Sequence, residues 1–150
     1  MKTFTGLDEL ESAVGTHLGV SDWQLITQEQ VNLFADATGD HQWIHVDTDR
    51  SASGPFGTTI AHGYLTLSLV PRLLNQIYHV DGLKLGVNYG ANTVRFPSPV
   101  AVDSRIRAGA ELLSLTRKPS GAHAVIRVTM EREEGDKPVC VAEVVTLLVD

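Results

Sequence analysis

A chain of 150 residues in which Asp plus Glu (18) outnumber Lys plus Arg (12), for a net charge of −6, is short for two domains and wrongly charged to neutralise nucleic-acid phosphate. Its 43% hydrophobic content exceeds what a disordered chain carries, so residues 1–150 are expected to fold as a single domain. The sole cysteine, Cys140, sits in an apolar run and reads as a small buried hydrophobe; with no disulfide framework, no apolar leader after Met1 and no uninterrupted membrane-span length, the expected location is the cytoplasm.

Residues 7–14 place Leu7, Leu10 and Val14 on one stripe and predict a short helix ending near Gly15. Thr27 is followed three residues later by Gln30 in capping-box spacing, Val31, Phe34, Ala35 and Thr38 recur at helical period, and Gly39 supplies a left-handed stop. Residues 40–55 are polar and irregular, which predicts a loop with at most one helical turn after Asp47. Residues 62–78 predict a helix that is apolar nearly all round, from Tyr64 and Leu65 to Leu74 and Ile77, with a kink or break at Pro71.

From Leu83 the period becomes two, in Leu83, Leu85, Val87 and Tyr89, then in Val102, Ser104, Ile106, Ala108, Ala110 and Leu112, and again in Ala124, Ile126, Val128 and Met130. Residues 139–149 are apolar on both faces, as a central strand is, while Gly121 and the Glu133-Glu134-Gly135-Asp136 cluster mark turns. A long helix without a polar face cannot lie on a flat sheet with its back to water. The expected fold class is therefore α+β, an antiparallel sheet curled around a central helix.

Asp40 and His45 fall in the loop after Gly39. A carboxylate and an imidazole held against one water can take a proton from it and return one to carbon, because burial and neighbouring charge move their pKa values towards working pH. Two such residues at this spacing are more often a turn cap and a satisfied ring. Ala61-His62-Gly63-Tyr64 opens the buried helix, where free N–H groups can bind an oxygen that gains charge and glycine admits a close approach. The same glycine equally suits tight packing of helix against sheet.

Phe34-Ala35-Asp36-Ala37-Thr38-Gly39-Asp40-His41-Gln42-Trp43-Ile44-His45, with Ala52 following, resembles the hydratase motif of the MaoC-like (R)-specific enoyl-CoA hydratases and dehydratases. Ile60-Ala61-His62-Gly63-Tyr64-Leu65 is similar to the start of that family's central helix, and Asn88-Tyr89-Gly90, Val94-Arg95-Phe96 and Pro99-Val100 to its following strand. The resemblance implies a hot-dog fold and reversible syn hydration of a trans-2-enoyl-CoA to the (R)-3-hydroxyacyl-CoA. It assigns Asp40 and His45 as the catalytic dyad and the Gly63 N–H as the group that polarises the thioester carbonyl. It further implies a homodimer, an acyl-CoA or acyl-carrier-protein thioester as partner, and no metal or redox cofactor. The family usually carries Asn-Pro where this chain has Gln42-Trp43; Gln42 keeps an amide, one methylene longer.

Gln42, His62 and Tyr64 complete the candidate site as substrate-binding residues, although a helix-start histidine such as His62 also commonly serves only to satisfy its neighbours. His17, His41, His79 and His123 have no metal-ligand spacing, and Arg72, Lys84, Arg95, Arg117 and Lys118 are isolated basic residues with no assigned phosphate. Ser53-Gly54-Pro55-Phe56-Gly57 lacks the lysine of a phosphate loop and reads as a lip of the pocket. Two rival functions remain: a thioesterase on the same fold, and a non-catalytic acyl-thioester-binding or assembly subunit.

Overall fold

Alternating apolar residues in the second half of the chain build the long strands, and the rest is arranged around the sheet they form. The computed structural model describes residues 1–150. In chain order the elements are β1 (Lys2–Thr5), α1 (Gly6–Ser12), β2 (His17–Val20), β3 (Gln24–Leu25), α2 (Gln28–Thr38), α3 (Trp43–Val46), α4 (Thr48–Ala52), α5 (Gly63–Ser68), α6 (Val70–Ile77), β4 (Tyr78–Asp81), β5 (Leu85–Arg95), β6 (Arg105–Lys118), β7 (Gly121–Arg132) and β8 (Cys140–Val149). A six-stranded antiparallel sheet runs in the order β2-β6-β7-β8-β5, with β3 also paired to β6.

The inner face of that sheet is rich in alanine: Ala108, Ala110, Ala122, Ala124 and Ala142 are all fully buried. Small side chains there let the α5–α6 helix come close, and Leu65, Leu69, Leu73 and Ile77 fill the space with Ile106, Leu112, Ile126 and Met130 in one core. The outer face carries ion pairs between neighbouring strands, Arg107 with Glu131 at 2.6 Å and Arg127 with Glu143 at 3.1 Å. Being half exposed, these contribute at most about 1 kcal/mol each. Gly121 opens β7 at φ 141°, where a Cβ would sit 1.8 Å from the Leu148 carbonyl oxygen, so no other residue fits that turn.

The capping-box helix forms as expected, with the Thr27 hydroxyl accepting from Gln30 N at 3.1 Å and Gly39 closing α2 at φ 78°. The central helix is interrupted at Leu69, and Pro71 falls in the first turn of α6, where its missing N–H forfeits no intrahelical bond. The expectation that this helix has no open face is corrected: Tyr64, Ser68, Pro71, Arg72 and Asn75 are exposed. Their spacing of three and four residues puts them on one stripe. Beside it lies a groove of about 900 Å³ lined by residues including Leu67, Val70, Leu74, Leu83, Leu85 and Tyr89.

Three further expectations change, and one strand appears that the sequence did not announce. The polar stretch 40–55 holds the expected helical turn after Asp47, α4, capped by the Asp47 side chain on Arg50 N, and before it a second short helix, α3, that was not expected. Lys2–Thr5 forms a strand that pairs parallel with Tyr78–Asp81, apart from the main sheet. Val102 lies in a turn and Ser104 outside any strand, because Val102 N and Asp103 N are drawn to the carbonyls of Thr59 and Ile26 before β6 begins at Arg105. Leu83 likewise precedes β5, which is an edge strand exposed at every residue except Val94. No helix is long and apolar enough to cross a membrane.

Candidate active site

Gly39 turns the chain out of α2 and leaves Asp40 at the start of the connection to α3, where its Oδ1 accepts from Gln42 N at 3.3 Å. That local turn sets up α3 and so places His45, which is 6% exposed. The His45 Nδ1–H donates to the Ile60 carbonyl at 2.7 Å. In neutral imidazole this leaves Nε2 with its lone pair free. Ile60 is itself held, its N–H bonding to Ile44 O at 3.0 Å and its neighbour Ala61 N–H to Val100 O at 2.8 Å. Burial pushes the His45 pKa below its ordinary value of 6.5, and nearby His62 adds to the effect; the Ile60 hydrogen bond and the Asp40 charge oppose it without prevailing.

His62, 3% exposed, donates from Nε2 to the Asp40 main-chain oxygen at 2.9 Å and lies 3.9 Å from Asp40 Oδ2. Its ring stacks on that of His45, with Phe34 on another side at 4.9 Å between ring centres. His62 Nδ1 is buried with no hydrogen-bond partner. An Asp40 carboxylate oxygen and one ring nitrogen each of His45 and His62 fall within 4.8 Å of one another. That separation suits a shared water. It suits a metal poorly, since the rings are 22° from parallel, so their lone pairs run alongside rather than converge, and His62 Nε2 is engaged by a carbonyl.

Gly63 begins α5, whose start has no side-chain cap. A Cβ at Gly63 would lie 2.9 Å from Phe96 Cδ2, so the close approach that demands glycine here is made by the Phe96 ring. Tyr64 points outward, 71% exposed, and meets Phe96 edge to face at 6.2 Å. Gln42 is exposed and offers no side-chain cap to α3. The fold thus gathers Asp40, His45 and His62, with Gly63 next to His62 in the chain, and leaves Gln42 and Tyr64 exposed. The 900 Å³ groove is lined by none of Asp40, His45, His62 and Gly63.

Sequence reasoning missed three contributors. The Ile60 carbonyl fixes the His45 tautomer, and no side-chain pattern announces a main-chain acceptor. Gln28 Nε2 donates to the His45 carbonyl at 2.7 Å, and the Thr59 hydroxyl, 2% exposed, donates to Gln28 Oε1 at 2.5 Å. Both contacts bridge distant parts of the chain.

A carboxylate and a buried imidazole whose pKa is lowered, within one water's reach and beside an uncapped helix start, can move protons to and from a polarised double bond, which is the work of a hydro-lyase. The frame agrees: the fold matches the unliganded R-hydratase PhaJ1 of Pseudomonas aeruginosa with a TM-score of 0.76 at 24% identity, over 95% of this chain and 84% of that one, and is a hot-dog fold. Residues 9–135 match the MaoC like domain, and the chain belongs to the MaoC-like dehydratase family of hydratases and dehydratases. It is 57% identical over 144 residues to the 3-hydroxyacyl-thioester dehydratase Z of Mycobacterium tuberculosis, covering 95% of each chain. It is also 43% identical over 145 residues to Nodulation protein N of Rhizobium meliloti, covering 91% of this chain and 86% of that one.

Proposed function

We propose that this chain catalyses the reversible hydration of a trans-2-enoyl-CoA to the (R)-3-hydroxyacyl-CoA, with Asp40 and His45 sharing the catalytic water. In hydration the water oxygen adds to C3 while the dyad accepts its proton and C2 receives one. In dehydration the same steps reverse. The Gly63 N–H holds the thioester oxygen as it takes up the enolate charge. Each step is a proton transfer or an addition at an already polarised bond, so the proposal includes no metal and no cofactor beyond the coenzyme A of the substrate; an acyl-carrier-protein thioester presents the same reacting atoms. Gln42, His62 and Tyr64 remain the proposed substrate-side residues, with Tyr64 at the outer rim.

The observation that carries the reading is the His45 Nδ1–H bond to Ile60 at 2.7 Å, which leaves Nε2 as acceptor in a ring whose pKa burial lowers. A base must be neutral at working pH, and burial moves the His45 pKa in that direction. The proposal extends to a single-domain subunit of a homodimer in the cytoplasm. An eleven-residue edge strand with Leu85, Val87 and Tyr89 exposed is a surface that proteins usually pair or cover.

The test is loss of the conjugated thioester's ultraviolet absorbance when the protein meets a short trans-2-enoyl-CoA, with an (R)-specific dehydrogenase reading the product. Hydration to the (R) product, with Asp40→Asn and His45→Ala slower by at least about 1,000-fold, is expected. Release of free thiol would make the protein a thioesterase, and inactivity across chain lengths and carriers would leave an acyl-thioester-binding subunit.

A further inference from the structure

His45 is gripped on two sides of its α-carbon. On one side its ring Nδ1–H reaches the Ile60 carbonyl at 2.7 Å; on the other its main-chain oxygen accepts from Gln28 Nε2 at 2.7 Å. Gln28 is the first residue of α2, and its amide is satisfied by three bonds, the remaining two being Nε2 to Asn32 Oδ1 at 2.9 Å and Oε1 from the Thr59 hydroxyl at 2.5 Å. A carbonyl can only accept, so the amide nitrogen must face His45. The amide oxygen therefore faces Thr59, whose hydroxyl must donate.

These bonds close a circuit. Gln28 donates to His45, His45 donates to Ile60, Ile60 follows Thr59 in the chain, and Thr59 donates back to Gln28. Residue 59 is no loose anchor: its side chain is buried, its carbonyl accepts from Val102 N at 3.0 Å, and Ile60 bridges antiparallel to Ala101. The start of α2, the turn of α3 and the strap that carries the tautomer-setting carbonyl are joined at one amide.

We propose that Gln28 and Thr59 are positioning residues that aim His45 Nε2 at the catalytic water. The proposal rests on the reading of His45 as half of the acid–base pair. With both ends of the residue tied, α3 cannot roll about its axis, and the direction of Nε2 follows from that constraint. α3 has only four residues and no side-chain cap of its own, so these two bonds add to the restraint that the Asp40 turn supplies through Gln42 N. A displacement of about 1 Å at such a group lowers the rate by up to about 100-fold without touching substrate affinity.

The experiment compares wild type, Gln28→Met, Thr59→Val, Thr59→Ser, Asp40→Asn and His45→Ala in the enoyl-CoA hydration assay, at a temperature where circular dichroism shows every variant fully folded. Thr59→Val keeps the buried shape, so it tests the hydroxyl even if Gln28→Met folds poorly. For Gln28→Met and Thr59→Val, kcat is expected to fall about 10- to 100-fold with KM within about twofold, and Thr59→Ser to keep most of the wild-type rate. In the same variants the imidazole ¹⁵N spectrum is expected to show His45 leaving the pure Nδ1–H tautomer. Wild-type kcat and tautomer in Gln28→Met and Thr59→Val, with only a lower melting midpoint, would overturn the proposal while Asp40→Asn and His45→Ala stay inactive. Full activity in those last two would instead bring down the acid–base reading itself.

Discussion

His45 and His62 lie face to face, their ring centres 3.8 Å apart, and the His62 ring is tied through Nε2 to the main-chain oxygen of Asp40. One side chain thus supports both members of the proposed dyad, one by stacking and the other by a hydrogen bond. Two imidazoles in this arrangement resist a second positive charge, which is one reason His45 loses its proton readily.

The lowered His45 pKa predicts how rate and stability depend on pH. If neutral His45 is needed, kcat/KM rises with pH through a midpoint below 6.5 and is level through neutrality. For stability, a folded pKa below the unfolded one means that the unfolded chain binds more protons. The contribution is then complete above 6.5 and is lost as pH falls from there through the folded pKa. His41, raised by its exposed contact with Asp36, acts in the opposite sense and through a solvent-screened pair. Melting midpoints between pH 5 and 8 should therefore flatten in His45→Gln and not in His41→Gln; an unchanged slope in His45→Gln would refute the assignment.

His62 separates stability from rate. In His62→Phe the ring stack is kept and the unpartnered buried Nδ1 is removed, which offsets the lost bond to Asp40, so stability should change by no more than about 1 kcal/mol. The freed Asp40 backbone should nonetheless lower kcat by about 10-fold or more. Denaturant titration beside steady-state kinetics checks both. A Phe variant at wild-type rate would reduce His62 to packing.

Gly63 and Phe96 form a pair that a double-mutant cycle can resolve. Gly63→Ala puts a methyl 2.9 Å from the Phe96 ring and should destabilise by about 1–3 kcal/mol. Adding Phe96→Ala makes room and should restore most of that loss. Activity should stay low in the double variant, because the methyl still crowds the N–H proposed to face the thioester oxygen. Recovery of both would leave Gly63 a packing residue.

The edge strand β5 predicts self-association. Wild type should sediment as a dimer, and Val87→Asp, which puts a charge on that exposed strand, should shift it towards monomer with loss of activity. Analytical ultracentrifugation reads the first and the hydration assay the second. A wild type that is monomeric at micromolar concentration would contradict the pairing.

Local chemistry carried the parts of the fold that sequence could announce. Thr27, Gln30 and Gly39 mark the ends of α2 with side chains and backbone freedom that act within a few residues, and the alternation from Ile106 to Met130 follows from strand geometry alone. What lay beyond reach was set by distant partners. The four-residue α3 has no capping side chain to betray it, and β1 becomes a strand only because β4 lies alongside. The exposed stripe of the central helix could not be foreseen while Tyr64 counted as one more apolar residue. Within the site, Asp40 and His45 were visible as residues, whereas Gln28 and Thr59 owe their place to contacts across 17 and 31 residues.

The partner of His45 Nδ1 is a peptide oxygen and not a carboxylate. A side-chain partner can be exchanged by one codon change, but an acceptor in the main chain survives whatever occupies position 60, provided the strap from Thr59 to Ala61 keeps its course beside Val100 and Val102. The tautomer that this reaction needs is therefore inherited with the backbone path. Substitutions in the Ile60 side chain leave it untouched, and an insertion or deletion between Thr59 and His62 would abolish it at once.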